Sequence, residues 1–293
     1  MEIFRGSGVA LVTPFDKDEN VDYKALGKLI DLHLNNKTDA LVINGTTGES
    51  STLTDEEKSQ LLAYVVKKVN GKIPVIAGTG TNNTKHAVKL SVEAEKAGAD
   101  GLLVVTPYYN KGNESGIYLY YKSIAEATKL PIILYIVPSR TGVNLSIDLL
   151  KKLAQIENIV GIKDATGNLS YTAQIAAEIP DLDIYSGNDD VVLPVMSLGG
   201  KGVISVSANI IPQETHDMVQ SFLDGDIKKA QKLQLEKLNL LNGLFIEVNP
   251  VPVKAALNLL GINVGPCRSP LGPMEENNYR KLEELLKKNG VKI

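Results

Sequence analysis

Asn158-Ile159-Val160-Gly161-Ile162-Lys163-Asp164 is a short apolar run that closes on an amine. Its length and its β-branched residues suit a strand buried on both faces. A lysine at the end of such a strand carries its Nζ into a place short of water. Burial disfavours the ammonium form and leaves a nucleophile. Runs of the same kind occur at 8–12, 40–43, 73–77, 101–105, 131–136, 182–186 and 202–206, so that with 159–163 there are about eight. Between them lie segments of helical period. Thr54-Asp55-Glu56-Glu57 reads as a capping box ahead of Leu61, Leu62, Val65 and Val66. Ser146 is expected to cap 147–153, and Ser115 or a neighbour to open the segment from Tyr118 to Ala127.

Strand–helix alternation repeated eight times predicts an α/β fold, a (β/α)8 TIM barrel. The competing fold, a doubly wound open sheet, would carry a dinucleotide or P-loop fingerprint after its first strand. The chain has Thr13-Pro14-Phe15-Asp16 there instead. Helical patterns at 214–222, 227–241, 251–260 and 275–288 follow the eighth run. The first completes the barrel. The rest form a C-terminal helical extension. The expected division is a catalytic barrel over 1–225 and an extension over 226–293, belonging to the same folding unit.

Composition narrows the function. The chain has 293 residues, 43% hydrophobic and 22% charged, which is ordinary for a globular protein. A formal charge of -3 and a pI near 5.8, without a basic block, argue against nucleic acid as a partner. Cys267 is the single cysteine, so no internal disulfide forms, and a cytoplasmic location is expected. No run reaches the roughly eighteen apolar residues of a membrane span, and the start of the chain lacks the shape of a signal peptide. His33, His86 and His216 are scattered over helical patterns, so no metal site is expected.

In a barrel of this kind the chemistry sits at the C-terminal ends of the strands. The second strand ends in Gly45-Thr46-Thr47-Gly48-Glu49-Ser50, a turn that can offer N–H groups and hydroxyls to a carboxylate, or simply cap the next helix. The fourth ends in Thr106-Pro107-Tyr108-Tyr109-Asn110, and the fifth runs from Tyr135 through Pro138-Ser139-Arg140-Thr141. Tyr135 and Lys163 are 28 residues apart, one βα unit, and so stand on adjacent strands. A phenol beside a carbonyl-condensing amine can carry protons, or it can merely fill the barrel mouth. Arg140 can clamp a carboxylate through two parallel hydrogen bonds, or pair with a loop acid. Alternation points Asp164 away from Lys163, so it is given no role. The lysine itself reads either as a Schiff-base nucleophile or as one half of an ion pair.

These motifs, in this order, closely resemble the dihydrodipicolinate synthase family of pyruvate-dependent class I aldolases, related to N-acetylneuraminate lyase. The resemblance extends from Gly8-Val9-Ala10-Leu11-Val12-Thr13-Pro14-Phe15 to the C-terminal helices. It implies condensation of pyruvate with L-aspartate-4-semialdehyde, without a cofactor, by a homotetramer built as a dimer of dimers. Lys163 would form the imine, and Tyr135 would relay protons. Thr46 would link Tyr135 to Tyr109, which in this family reaches a neighbouring subunit. Thr46 and Thr47 would hold the pyruvate carboxylate, Arg140 the carboxylate of the aldehyde. Gly187 and Ile204 would line the pocket through their backbone. Other aldehydes, as in the N-acetylneuraminate or 2-keto-3-deoxy sugar acid aldolases, are the alternative substrates. A barrel that only binds a small carboxylate is the non-enzymatic alternative. Two departures from the family pattern stand out. Ile136 replaces a usual Asn, but alternation points it outward. At the family's lysine-inhibition site Asp55 and Lys58 stand where histidines are common, and His86 where a glutamate is typical. Ser50, Asn82 and Tyr108 are candidate remnants of that site. Feedback inhibition by lysine is therefore expected to be weak or absent.

Overall fold

The computed structural model describes residues 2–293. Eight parallel strands pair in sequence order, and the last closes on the first. They are β1 (Gly6–Ala10), β2 (Ala40–Ile43), β3 (Val75–Gly78), β4 (Gly101–Val105), β5 (Ile132–Ile136), β6 (Ile159–Asp164), β7 (Asp183–Ser186) and β8 (Gly202–Ser205). Helices follow the strands in turn: α1 (Tyr23–Asn35), α2 (Asp55–Val69), α3 (Thr84–Lys96) and α4 (Glu114–Ala127) after β1 to β4. The one-turn α5 (Pro138–Thr141) and α6 (Ile147–Leu153) follow β5; α7 (Leu169–Glu178) and α8 (Val192–Ser197) follow β6 and β7. α9 (Pro212–Leu223) completes the ring. Then come α10 (Ile227–Gly243), α11 (Val251–Leu259) and α12 (Glu276–Lys288). This is the expected (β/α)8 barrel with C-terminal helices. α10 packs on α9, and α12 lies against α10 and α11.

Strand alternation separates two layers of core. Ile133 and Tyr135 of β5 point into the barrel with Ala10, Val42, Ile76, Leu103 and Ile204. Ile132, Leu134 and Ile136 point outward to the helices with Leu102, Val104 and Ile162. Ile136 is thus a packing residue on the helix side, as alternation requires. At the opposite end from the strand C-termini, Phe4 stacks on Tyr185 with ring centroids 4.5 Å apart, and the Tyr185 hydroxyl donates to the Phe4 carbonyl at 2.6 Å.

Local signals set most helix starts. The Thr54 hydroxyl accepts from Glu57 N at 3.2 Å and the Glu57 carboxylate accepts from Thr54 N at 2.9 Å, the reciprocal pair expected of a capping box. Ser146 caps α6 through Leu149 N. At the opening of α4, expected at Ser115 or a neighbour, the neighbour Asn113 is the cap, accepting from Gly116 N, and Ser115 donates to it from within the helix. β1 also begins two residues earlier than its apolar run. Gly6 pairs with Gly202 of β8, while Val12 N has already turned to the Asn209 side chain at 3.2 Å. Closure with β8, not hydrophobicity, sets where that strand lies.

Gly202 opens the closing strand at φ 151, a conformation that side chains disfavour, and a Cβ there would collide with the backbone carbonyl of Gly6. Gly202→Ala is expected to cost at least roughly 2 kcal/mol, lowering Tm by several degrees in a chain of this size. An unchanged melting curve would refute that account of closure.

Candidate active site

β5 and β6 run in a register that sets Tyr135 opposite Lys163. Both side chains are nearly sealed, Lys163 at 5% and Tyr135 at 7% exposure. The Lys163 Nζ lies over the Tyr135 ring, 4.5 Å from its centroid. Burial lowers the lysine to a pKa of about 8; the Asp189 carboxylate raises it, and the Arg140 charge lowers it further. At that value roughly one amine in ten is neutral at pH 7, against roughly one in three thousand for an ordinary lysine. Burial raises the Tyr135 phenol, while Thr46 and Arg140 pull it back, so it is a proton donor at neutral pH. No carboxylate among the described residues lies within ion-pairing distance of Lys163.

The groups around this pair come from four separate elements. The turn after β2 places Thr47 deep in the mouth, 2% exposed, with Thr46 beside Tyr135. The turn is pinned by Thr13, whose hydroxyl donates to Gly48 O at 2.7 Å. Arg140 sits on α5, which Pro138 starts and Gly142 ends in a left-handed cap. Its Nη2 donates to the Asn249 carbonyl at 3.0 Å, and among the described residues no acid pairs with it. The guanidinium is exposed and free to take a carboxylate. Thr46, Thr47, Tyr135, Arg140, Lys163 and Gly187 line one cavity of about 180 Å3. A second, of about 220 Å3, shares Thr46, Arg140 and Asn249 with it and adds Ser50 and Tyr108.

The remaining candidates fall elsewhere. The Ile204 side chain is fully buried in the barrel interior. Gly187 reaches the cavity, but its N–H already donates to Asp164 O at 2.7 Å. Tyr109 is 88% exposed, held at φ 72, and lines neither cavity. Asn82 is half-buried just before α3. Asp164 is turned away from Lys163, its oxygens taken by Thr166 and by Thr172 Oγ1. Among the described residues, no three His, Cys, Asp or Glu side chains gather as a metal site.

Several residues escaped the strand-end rule. Asn249 and Phe245 line the cavity from the segment between α10 and α11. Asp189 is buried at the end of β7, where Val206 N and Ser207 N donate to its Oδ2 at 3.0 and 2.9 Å. Only its place two residues past the Gly187 turn could have flagged it. An amine, a phenol, two hydroxyls and a guanidinium thus converge on one small cavity. That set suits condensation at a carbonyl that carries a carboxylate.

Comparison with known proteins gives the same picture. A model of the dihydrodipicolinate synthetase family matches residues 3–289. The chain is 53% identical over 293 residues to the 4-hydroxy-tetrahydrodipicolinate synthase of Caldicellulosiruptor saccharolyticus, covering 100% of this chain and 99% of that one. The crystal structure of dihydrodipicolinate synthase from Aquifex aeolicus superposes with a TM-score of 0.97 at 45% identity, covering 99% of both chains. The chloride-inhibited synthase of Acinetobacter baumannii, solved with pyruvate, gives 0.96 at 45% identity, covering 99% of this chain and 100% of that one. With the lysine, tyrosine and arginine of the barrel mouth in the positions described, the chain belongs to the dihydrodipicolinate synthetase family.

Proposed function

We propose that the chain carries out the 4-hydroxy-tetrahydrodipicolinate synthase reaction, a lyase-class condensation of pyruvate with L-aspartate-4-semialdehyde on the diaminopimelate route to lysine. The observation that carries this reading is Lys163: a buried amine in no ion pair among the described residues, at a pKa of about 8, against a phenol and near a guanidinium that no acid pairs with. Lys163 Nζ attacks the pyruvate carbonyl carbon, and water leaves to give the imine. The cationic nitrogen then draws electrons from the methyl carbon, which loses a proton to form the enamine. That carbon bonds to the aldehyde carbon, and Tyr135 supplies the proton that the new alkoxide takes up. The substrate's own amine attacks the imine carbon, closing the ring and releasing Lys163. Thr46 and Thr47 hold the pyruvate carboxylate, and Arg140 the carboxylate of the aldehyde. The acid-binding arginine favours this aldehyde over a polyhydroxylated one.

Tyr109 supports assembly as a homotetramer, a dimer of dimers. A tyrosine 88% exposed on a left-handed backbone stands clear of its own chain's cavities and is free to reach a neighbouring subunit. The single Cys267, with no helix among the described residues long and apolar enough to cross a membrane, agrees with a cytoplasmic enzyme. The surface near Ser50, Asn82 and Tyr108 does not suit an amino acid with a second ammonium group. Asp55, which the family resemblance assigns to that site, is already held by Lys89 Nζ and His86 Nε2, both at 2.8 Å, which lower it to a pKa of about 2. The resemblance also assigns Lys58 there, a half-buried cation.

Borohydride reduction with pyruvate should leave one adduct, on Lys163, and a coupled assay should show turnover with L-aspartate-4-semialdehyde; an unmodified Lys163 would end the proposal. The trapping rate at limiting pyruvate should rise with pH about a midpoint near 8, because burial lowers the amine from 10.5. A rate still climbing without a plateau at pH 10 would contradict the dry mouth. Millimolar L-lysine should leave the coupled rate within about twofold of the control, since Asp55 is already paired to Lys89 and His86; strong inhibition would show that another group or surface binds it.

A further inference from the structure

The outer wall of the cavity is built by the C-terminal extension. Asn249 is 6% exposed, and its Nδ2 donates to Thr47 Oγ1 at 3.0 Å. Its backbone carbonyl accepts from Arg140 Nη2 at 3.0 Å. One residue thus touches both groups assigned above to substrate carboxylates. The direction of the Thr47 contact matters. A hydroxyl that accepts from Asn249 keeps its own hydrogen for something else, and a carboxylate in the cavity is an acceptor. The Asn249 Oδ1 is buried without a partner among the described residues. Turning the amide over would pair that oxygen with the Thr47 hydroxyl, consume the hydroxyl hydrogen and strand the Nδ2 donors in its place.

Five residues later, Lys254 is 1% exposed on α11. Its three N–H groups go to Glu49 Oε1 at 2.8 Å, Thr13 O at 3.1 Å and Pro266 O at 2.6 Å. The other Glu49 oxygen accepts from Arg268 N at 2.9 Å. Glu49 ends the hydroxyl turn at φ 55, a left-handed conformation that a glutamate does not favour by itself. Its two anchors, both from the extension, keep it there.

We propose that Asn249 and Lys254 are positioning residues for pyruvate: Asn249 aims the Thr47 hydroxyl, and Lys254, through Glu49, fixes the turn that carries Thr46 and Thr47. The proposal rests on reading this cavity as the pyruvate site. The test is the pyruvate concentration giving half-maximal borohydride trapping on Lys163, read by mass. Asn249→Ala is expected to raise it by about threefold to tenfold, the scale of one lost hydrogen bond, with full trapping at saturation. In a Thr47→Val background the same change should have less than about a twofold effect, because the two residues act as one unit. A folded Asn249→Ala protein with unchanged half-saturation, or a penalty undiminished beside Thr47→Val, overturns the proposal. Should Asn249→Ala fail to fold, the paired change Glu49→Gln with Lys254→Met, which removes both buried charges together, serves instead. Raised half-saturation supports the proposal and an unchanged value overturns it. Loss of trapping in the unaltered protein would sink the pyruvate reading itself. Normal trapping there with unchanged variants would sink only this one.

Discussion

An amine remains a nucleophile near neutral pH only where water and a counter-carboxylate are both withheld from it. Lys163 is held under that constraint, and much of the mouth follows from it. The tilted, closed sheet withholds water by bringing eight strand ends onto one rim. The face of Tyr135 lies against the Nζ where an acid would otherwise sit. Asp189 is near enough to raise the lysine somewhat, but its Oδ2 is occupied by two N–H groups of the β8 end. The outcome is a compromise: burial pulls the amine down, Asp189 holds it up, and a usable fraction is neutral.

Period-2 alternation distributes the roles. On β5, Tyr135 faces in and Ile136 faces out; on β6, Lys163 faces in and Asp164 faces out. Neighbouring residues of opposite chemistry therefore never meet. Asp164 would be the nearest carboxylate in sequence, and the pleat turns it towards Thr166 and Thr172 instead. This also explains why an isoleucine is tolerated beside the tyrosine. It enters the helix-facing layer, where volume matters and polarity does not help.

The parts of this design that depend on local pattern were legible in the sequence. Apolar runs located all eight strands, and the capping box at Thr54 and the cap at Ser146 needed only a few residues of context. Strand-end logic then found Thr46, Thr47, Tyr135, Arg140 and Lys163. Contacts between distant segments were not legible. The start of β1 depends on pairing with β8, 196 positions further along at Gly202. Asn249 lies 202 residues from Thr47 and sits in a loop that no strand-end rule inspects. The cap of α4 could be read only as Ser115 or a neighbour, because Ser and Asn both cap well and the backbone alone selects Asn113.

The chain buries two lysines near one another's chemistry and puts them to opposite uses. Burial lowers both, but Glu49 raises Lys254 by direct contact, and all three of its donors are filled. An ion pair so sealed contributes little net stability against an apolar pair of the same shape, yet removing one partner leaves a stranded charge. Its usefulness is geometric: it ties the turn after β2 to α11 and to Arg268, which in turn grips Glu57 on α2. Lys163 is the inverse case, buried without such a partner and with its pKa lowered to about 8. By residue type the two are identical, and an apolar residue precedes each, Ile162 before Lys163 and Val253 before Lys254. What separates them is whether a carboxylate is placed within reach, and in this fold that is decided by the extension for Lys254 and by the pleat of β6 for Lys163.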